Sequence, residues 1–152
     1  MGLVWSGGDW DVRRSLQFSQ VSRLVDIPGL NFVSLQRGPP AAQCQMRDIA
    51  DVGSDDVHRF AARLRALDLL ISIDTFAAHL AGALGVRVWT LLHNECDWRW
   101  GERGATSVWY PTMRLFRQST PGDWTPVIDD VARELTAVRD DARRMQGTKQ
   151  PA

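Results

Sequence analysis

With 152 residues, 44% of them hydrophobic and 24% charged, the chain has the length and balance of one globular domain that buries a core without disulfide or metal staples. Lys+Arg and Asp+Glu both number 18, so the formal net charge is zero and the basic excess of a nucleic-acid binder is missing. No apolar run approaches the roughly 18 residues of a membrane span, and no charged n-region precedes an apolar stretch at the N-terminus, so neither a span nor a secretory signal is expected.

In chain order, Gly2–Trp5 is the first predicted strand. Met1–Ser6 also fits the loose myristoylation pattern, but a buried strand gives Gly2 no way to present a lipid. A helix over Leu16–Val25 stops at Pro28-Gly29. Asn31–Leu35 is the second strand and Asp48–Val52 a weak third. Ser54–Leu67 opens with Ser-Asp-Asp and carries Val57, Phe60, Ala61, Leu64 and Leu67 at helical spacing. Leu69–Ile73 is the fourth strand, followed by a helix over Thr75–Leu84 that ends at Gly85. Val86–Leu92 and Met113–Phe116 are the fifth and sixth strands. Pro126–Val138 is the last helix, with Thr125 as N-cap and Pro126 at its first position. Residues 1–138 are therefore expected to form one domain. Residues 139–152 read as a charged, solvated helix end and a flexible tail, frayed over Gly147–Ala152.

Strands apolar on both faces, alternating with helices, imply an α/β fold with a doubly wound parallel sheet of about six strands. Right-handed crossovers give the order 3-2-1-4-5-6. Ligands in such sheets bind outside the carboxyl ends of the strands where the order reverses, here between Ser6–Ser15 and Asp74–His79.

In the second of these loops Asp74 reads either as an N-cap or as part of a ligand site. The helix start beyond it offers free N–H groups to an anion, and Phe76, Ala77 and Ala78 follow directly, the alanines leaving room for a phosphate. Thr75 and His79 lie four residues apart and share a helix face. A hydroxyl and an imidazole together suit a diphosphate; the alternative for His79 is a satisfied core histidine. In the first loop Gly7-Gly8 permits a sharp turn and a close ligand, and Arg14 offers a planar fork to a phosphate. The alternative there is a plain glycine turn with a solvated arginine.

His93, Glu95, Cys96 and Asp97 are metal-capable residue types, but their spacing fits no zinc pattern, and no metal is expected. Cys44 and Cys96 form no C-x-x-C pair and read as reduced thiols, which suggests a cytoplasmic protein. His58 lies in a polar helix stretch and reads as solvated. Trp98, Trp100, Trp109 and Tyr110 suit either a sugar-facing surface or a protein interface.

The segments Ile73-Asp74-Thr75 and Ala78-His79-Leu80-Ala81-Gly82-Ala83-Leu84-Gly85 resemble the donor-site helix of GT-B glycosyltransferases of the lipopolysaccharide heptosyltransferase superfamily. More closely, they are similar to the C-terminal half of bacterial tetratricopeptide-repeat glycosyltransferase-like proteins. Gly2–Gly7, Ser34–Pro39, Asp97–Trp100, Trp109–Pro111, Met113–Gln118 and Pro121–Trp124 support the resemblance, which covers residues 1–138. It implies the nucleotide-sugar-binding half of a two-domain enzyme, with Gly7, Gly8, Arg14, Asp74, Thr75, Phe76, Ala77 and His79 at the donor diphosphate. Gln36, Asp97 and Trp98 would lie near the base, the ribose or the sugar. The nucleotide sugar is a substrate rather than a cofactor, and no general base is implied within this chain. The loop after the first strand is shorter than in the family and lacks a histidine often found there. The family's N-terminal domain is also absent from this sequence. The expected partners are accordingly a nucleotide sugar and either that domain or a second copy of the chain, met through the Trp-rich face. The alternative is a non-catalytic binding module that keeps the fold.

Overall fold

A computed structural model describes residues 1–44, 50–51 and 53–147. The strands are β1 (Gly2–Val4), β2 (Val33–Ser34), β3 (Ala50–Asp51), β4 (Leu70–Ile73), β5 (Val88–Leu92) and β6 (Met113–Arg117). They form one sheet in the order β3-β2-β1-β4-β5-β6, and every pairing between them is parallel. The outermost element, β3, is only two residues long. Residues 48, 49 and 52 of the third predicted strand lie outside the described residues.

The helices are α1 (Phe18–Val25), α2 (Val57–Arg65), α3 (Phe76–Ala83) and α4 (Thr125–Gly147). Alternate residues of each central strand face opposite layers. Leu3, Ile71, Ile73, Trp89 and Leu91 meet α1 and α4 through Val21, Leu24, Val127, Val131 and Leu135. Val4, Leu70, Val88 and Leu92 meet α2 and α3 through Phe60, Leu64, Ala77, Ala78 and Ala81 on the other face. The molecule is thus an α/β domain with a parallel sheet covered on both sides, consistent with a Rossmann-like fold. The tryptophans divide by position: Trp5, Trp89 and Trp124 fill the first core and Trp100 the second, whereas Trp10, Trp98 and Trp109 are exposed.

Local signals account for the helix ends. Asp56 caps α2 by accepting from the backbone N–H groups of His58 and Arg59. His58 itself is exposed. At the end of α3 the Gly85 N–H donates to Gly82 O and the Val86 N–H to Ala81 O, with Gly85 at φ 73°. This paired arrangement closes the helix with glycine in the left-handed region. Gly82 lies against Tyr110: a Cβ there would sit 2.6 Å from the ring.

Two expectations are corrected at the C-terminal helix. Thr125 is the first helical residue and not the N-cap: its backbone N–H donates to Asp123 Oδ1 at 3.0 Å. The helix also runs to Gly147 instead of stopping at Val138. Arg139 explains the continuation: it is half-buried and donates to Pro28 O at the turn after α1, while Arg143 lies over Gly29. The Arg139 stem covers that turn, whereas residues 141–145 are exposed, so the charged stretch is docked at its start and solvated beyond it. Residues 148–152 of the expected tail lie outside the described residues.

Candidate functional site

The strand order reverses between β1 and β4, and a cleft of about 850 Å³ opens beside their carboxyl ends. Gly7, Gly8, Trp10, Arg14, Thr75 and Ala77 are among the residues that line it. Its floor is built by local chemistry. Asp11 caps the 3₁₀ turn Val12–Arg14 by accepting from the Arg13 N–H. Gly7 N–H donates to Ser15 Oγ at 3.0 Å, which folds the loop back on itself. The turn sends Arg13 outward to Asp11 and Glu95, and Arg14 inward.

Arg14 is only 7% exposed. Its Nη1 donates to the backbone carbonyl of Asp74 at 2.9 Å, which ties the first loop to the end of β4. Its Nε has no hydrogen-bond partner among the described residues, and no carboxylate there lies within ion-pair distance of the guanidinium. The Trp10 ring covers it at 4.2 Å. A buried guanidinium with no carboxylate in contact, and with the charge of Asp74 acting only at longer range, is costly, and an anion supplied from outside offsets that cost.

The two glycines differ in what they do. Neither has positive φ, so the turn does not need them for backbone freedom. A Cβ at Gly7 would sit 3.0 Å from Arg14 Nε and Nη2, whereas one at Gly8 meets nothing closer than 3.9 Å. Gly7 makes room for the guanidinium; Gly8 does not.

At the other wall, Thr75 and not Asp74 is the N-cap residue of α3. Its hydroxyl pairs with Ser72 Oγ at 3.0 Å and makes no capping bond, so the first-turn N–H groups have no side-chain cap. Ala77 is buried at the cleft wall, and Phe76 is exposed with its ring stacked on Phe60.

His79 does not line this cleft. Its ring stacks on Trp100 at 4.8 Å, its Nδ1 lies 3.1 Å from the Tyr110 hydroxyl, and its Nε2 lies 3.5 Å from Asp74. The cause is a tertiary contact: Trp100 and Tyr110 arrive from the loop after β5 and hold the ring on the far side of α3. Asp74 is thereby turned toward His79 as well. Burial alone would raise its carboxyl, but His79 and the polar edge of Trp100, with the charge of Arg14, outweigh burial and hold it below the ordinary carboxylate range. Trp100 Nε1 contributes as a nearby dipole without closing a hydrogen bond of proper geometry.

A carboxyl depressed in the folded state adds stability that is present above its unfolded pKa of about 3.9 and lost as pH falls through the lower folded value. Asp74→Asn is therefore expected to flatten the acid side of the stability profile. Denaturation midpoints followed downward from about pH 5 check this against the unchanged chain.

The remaining site expectations divide as follows. Gln36 lines the cleft, but its carboxamide is committed: Oε1 accepts from Trp5 and Ser6 N–H, and Nε2 donates to Ser6 O and Arg37 O. It clamps β1 to β2 and has no donor left for a base. Asp97 caps the 3₁₀ turn Trp98–Trp100 and pairs with Arg99, away from the main cleft. Trp98 lines a second cleft beside Cys96. His93 faces Asp11 at 3.6 Å, Glu95 pairs with Arg13, and no group of three metal-capable residues converges among the described residues. The buried, unpaired state of Arg14 was not predictable from its own residue type; the Asp11 cap that turns it inward was a readable signal.

Comparison with known proteins gives one informative likeness. The chain is 30% identical over 159 aligned positions to Protein FlbA of Caulobacter vibrioides, covering 92% of this chain and 25% of that protein. It thus spans about a quarter of the length of that relative. No protein-family model matches the chain, and no solved structure matches it. No helix among the described residues is long and apolar enough to cross a membrane.

Proposed function

We propose that the cleft between β1 and β4 binds the diphosphate of a nucleotide sugar, and that the chain is the donor-binding, GT-B-type half of a glycosyltransferase. The observation that carries this reading is Arg14, a buried guanidinium with no carboxylate in ion-pair contact among the described residues. It is anchored to the backbone carbonyl of Asp74, between β4 and α3, and faces the cleft beside Gly7. The uncapped N-terminus of α3, with Thr75 and Ala77, supplies the opposite wall. Charge that develops on a departing diphosphate would meet donors already in place, which lowers the barrier to sugar transfer. An acceptor-binding domain, or a second copy of the chain, would close the cleft against exposed Trp10 and Phe76.

A second reading is favoured by the committed carboxamide of Gln36 and the outward position of His79. With fewer groups left to read base and sugar, the chain would be a phosphate-binding module without transfer activity.

The glycine pair tests the site itself. Gly7→Ala crowds the guanidinium and is expected to weaken saturation-transfer NMR signals from uridine, guanosine or adenosine diphosphate. Gly8→Ala retains them. Equal signals from both variants contradict the proposal.

A further inference from the structure

The second cleft, of about 550 Å³, lies beyond the end of β5 and is lined by Asn94, Cys96, Trp98, Glu102, Arg117 and Gln118, among others. Arg117 is the last residue of β6, and its guanidinium has no carboxylate partner among the described residues. Its Nε donates to Gly104 O at 3.1 Å and its Nη2 to Trp100 O. The remaining arm, Nη1, points at Cys96 Sγ, 3.0 Å away. Charge that builds on this sulfur therefore meets a cation fixed by two backbone carbonyls.

Gln118 gives the cleft a second, independent feature. It is 4% exposed, and its Oε1 accepts from the N–H groups of Asn94 and Gly122. Two backbone donors on one oxygen fix the orientation of the amide. Nε2 is thereby left buried with no partner among the described residues. An unmet buried donor is costly, and a ligand carbonyl or carboxylate oxygen would satisfy it. Glu102 is exposed at the rim and supplies an acceptor for an ammonium group. None of these residues belongs to the cleft at Arg14.

We propose that Cys96 is a thiol-modification site whose cleft accepts a low-molecular-weight disulfide bearing amide, carboxylate and ammonium groups. The step is thiol–disulfide exchange. Cys96 gives its proton to solvent, and Sγ attacks one sulfur of the incoming disulfide. The Sγ–S bond forms as the incoming S–S bond breaks, and the departing thiolate takes a proton from solvent. One disulfide is consumed and one is formed, so no further oxidant is required.

Cys44 is an internal control: both cysteines are free and partly buried, so exposure alone does not separate them. The 152-residue chain is treated with oxidised glutathione or, separately, with the neutral bis(2-hydroxyethyl) disulfide, and adducts are located by peptide mapping. Cys96 is expected to react at least about tenfold faster than Cys44 in the folded chain, with the preference lost in urea. The preference is larger for glutathione disulfide than for the neutral reagent. Arg117→Gln lowers the Cys96 rate toward that of Cys44, and Arg117→Lys restores part of it. Equal rates at the two cysteines of the folded, unsubstituted chain overturn the proposal. So does a Cys96 preference that persists in urea or is the same for both disulfides.

Discussion

Arg14→Ala is expected to weaken nucleoside diphosphate binding by about 1.5–3 kcal/mol, the range for a hydrogen bond to a charged group. That is roughly a 10- to 150-fold loss in affinity. The same substitution leaves stability within about 1 kcal/mol of the parent, because two effects oppose each other. It removes one bond to the Asp74 carbonyl and the stacking on Trp10. It also removes a buried charge with an unmet Nε, which favours the folded state. Binding and stability therefore separate at this residue, as they do where a site is kept at the expense of the fold. Titration calorimetry beside urea denaturation measures both. A large loss of stability with unchanged binding would mean that Arg14 is a structural residue.

Trp100→Ala is the second large effect, and it falls on the fold. Trp100 is 3% exposed, packs among Ala77, Ala81 and Leu92, and carries the His79 ring on its face. Truncating a buried tryptophan to alanine costs about 3–5 kcal/mol. Against a usual domain stability of about 5–15 kcal/mol, that is a loss visible in any melting experiment. At about 2–4 °C per kcal/mol for a chain of this size, the Tm falls by roughly 10 °C. Trp98, two residues earlier, is 72% exposed, and its replacement by alanine is expected to shift stability by no more than about 0.5 kcal/mol. Differential scanning calorimetry on the two variants reads the contrast directly.

The sheet was legible in the sequence, whereas the contrast between Trp98 and Trp100 was not. Strands apolar on both faces, such as Leu70–Ile73 and Val88–Leu92, announce a parallel sheet because only strands covered on both sides can bury such runs. Gly85 announces the end of α3 because its neighbours need a left-handed residue there. Both are local signals. The direction of His79 is not local. Helical spacing puts it on the face of Thr75, but the stacking partner that draws it from the cleft comes from residue 100. Gln36 likewise has the chemistry of a base reader, and only the meeting of β1 and β2 shows that all its bonds are taken. At α4 residues 141–145 are exposed as their mixed charges suggest, and Arg139 departs from that reading by lying against Pro28. A run of seven tryptophans spread along the chain could not by itself be divided into core and surface.

The donor-site reading rests on Arg14, Gly7 and the start of α3 acting as one anion site, and a direct titration addresses it. The 152-residue chain is titrated calorimetrically with uridine, guanosine and adenosine diphosphates and with the corresponding nucleosides. At least one diphosphate is expected to bind with a Kd in the high micromolar to millimolar range, about −4 to −6 kcal/mol, and its nucleoside much more weakly. Failure of all three diphosphates to bind at millimolar concentration, or equal binding of nucleoside and diphosphate, would contradict the account.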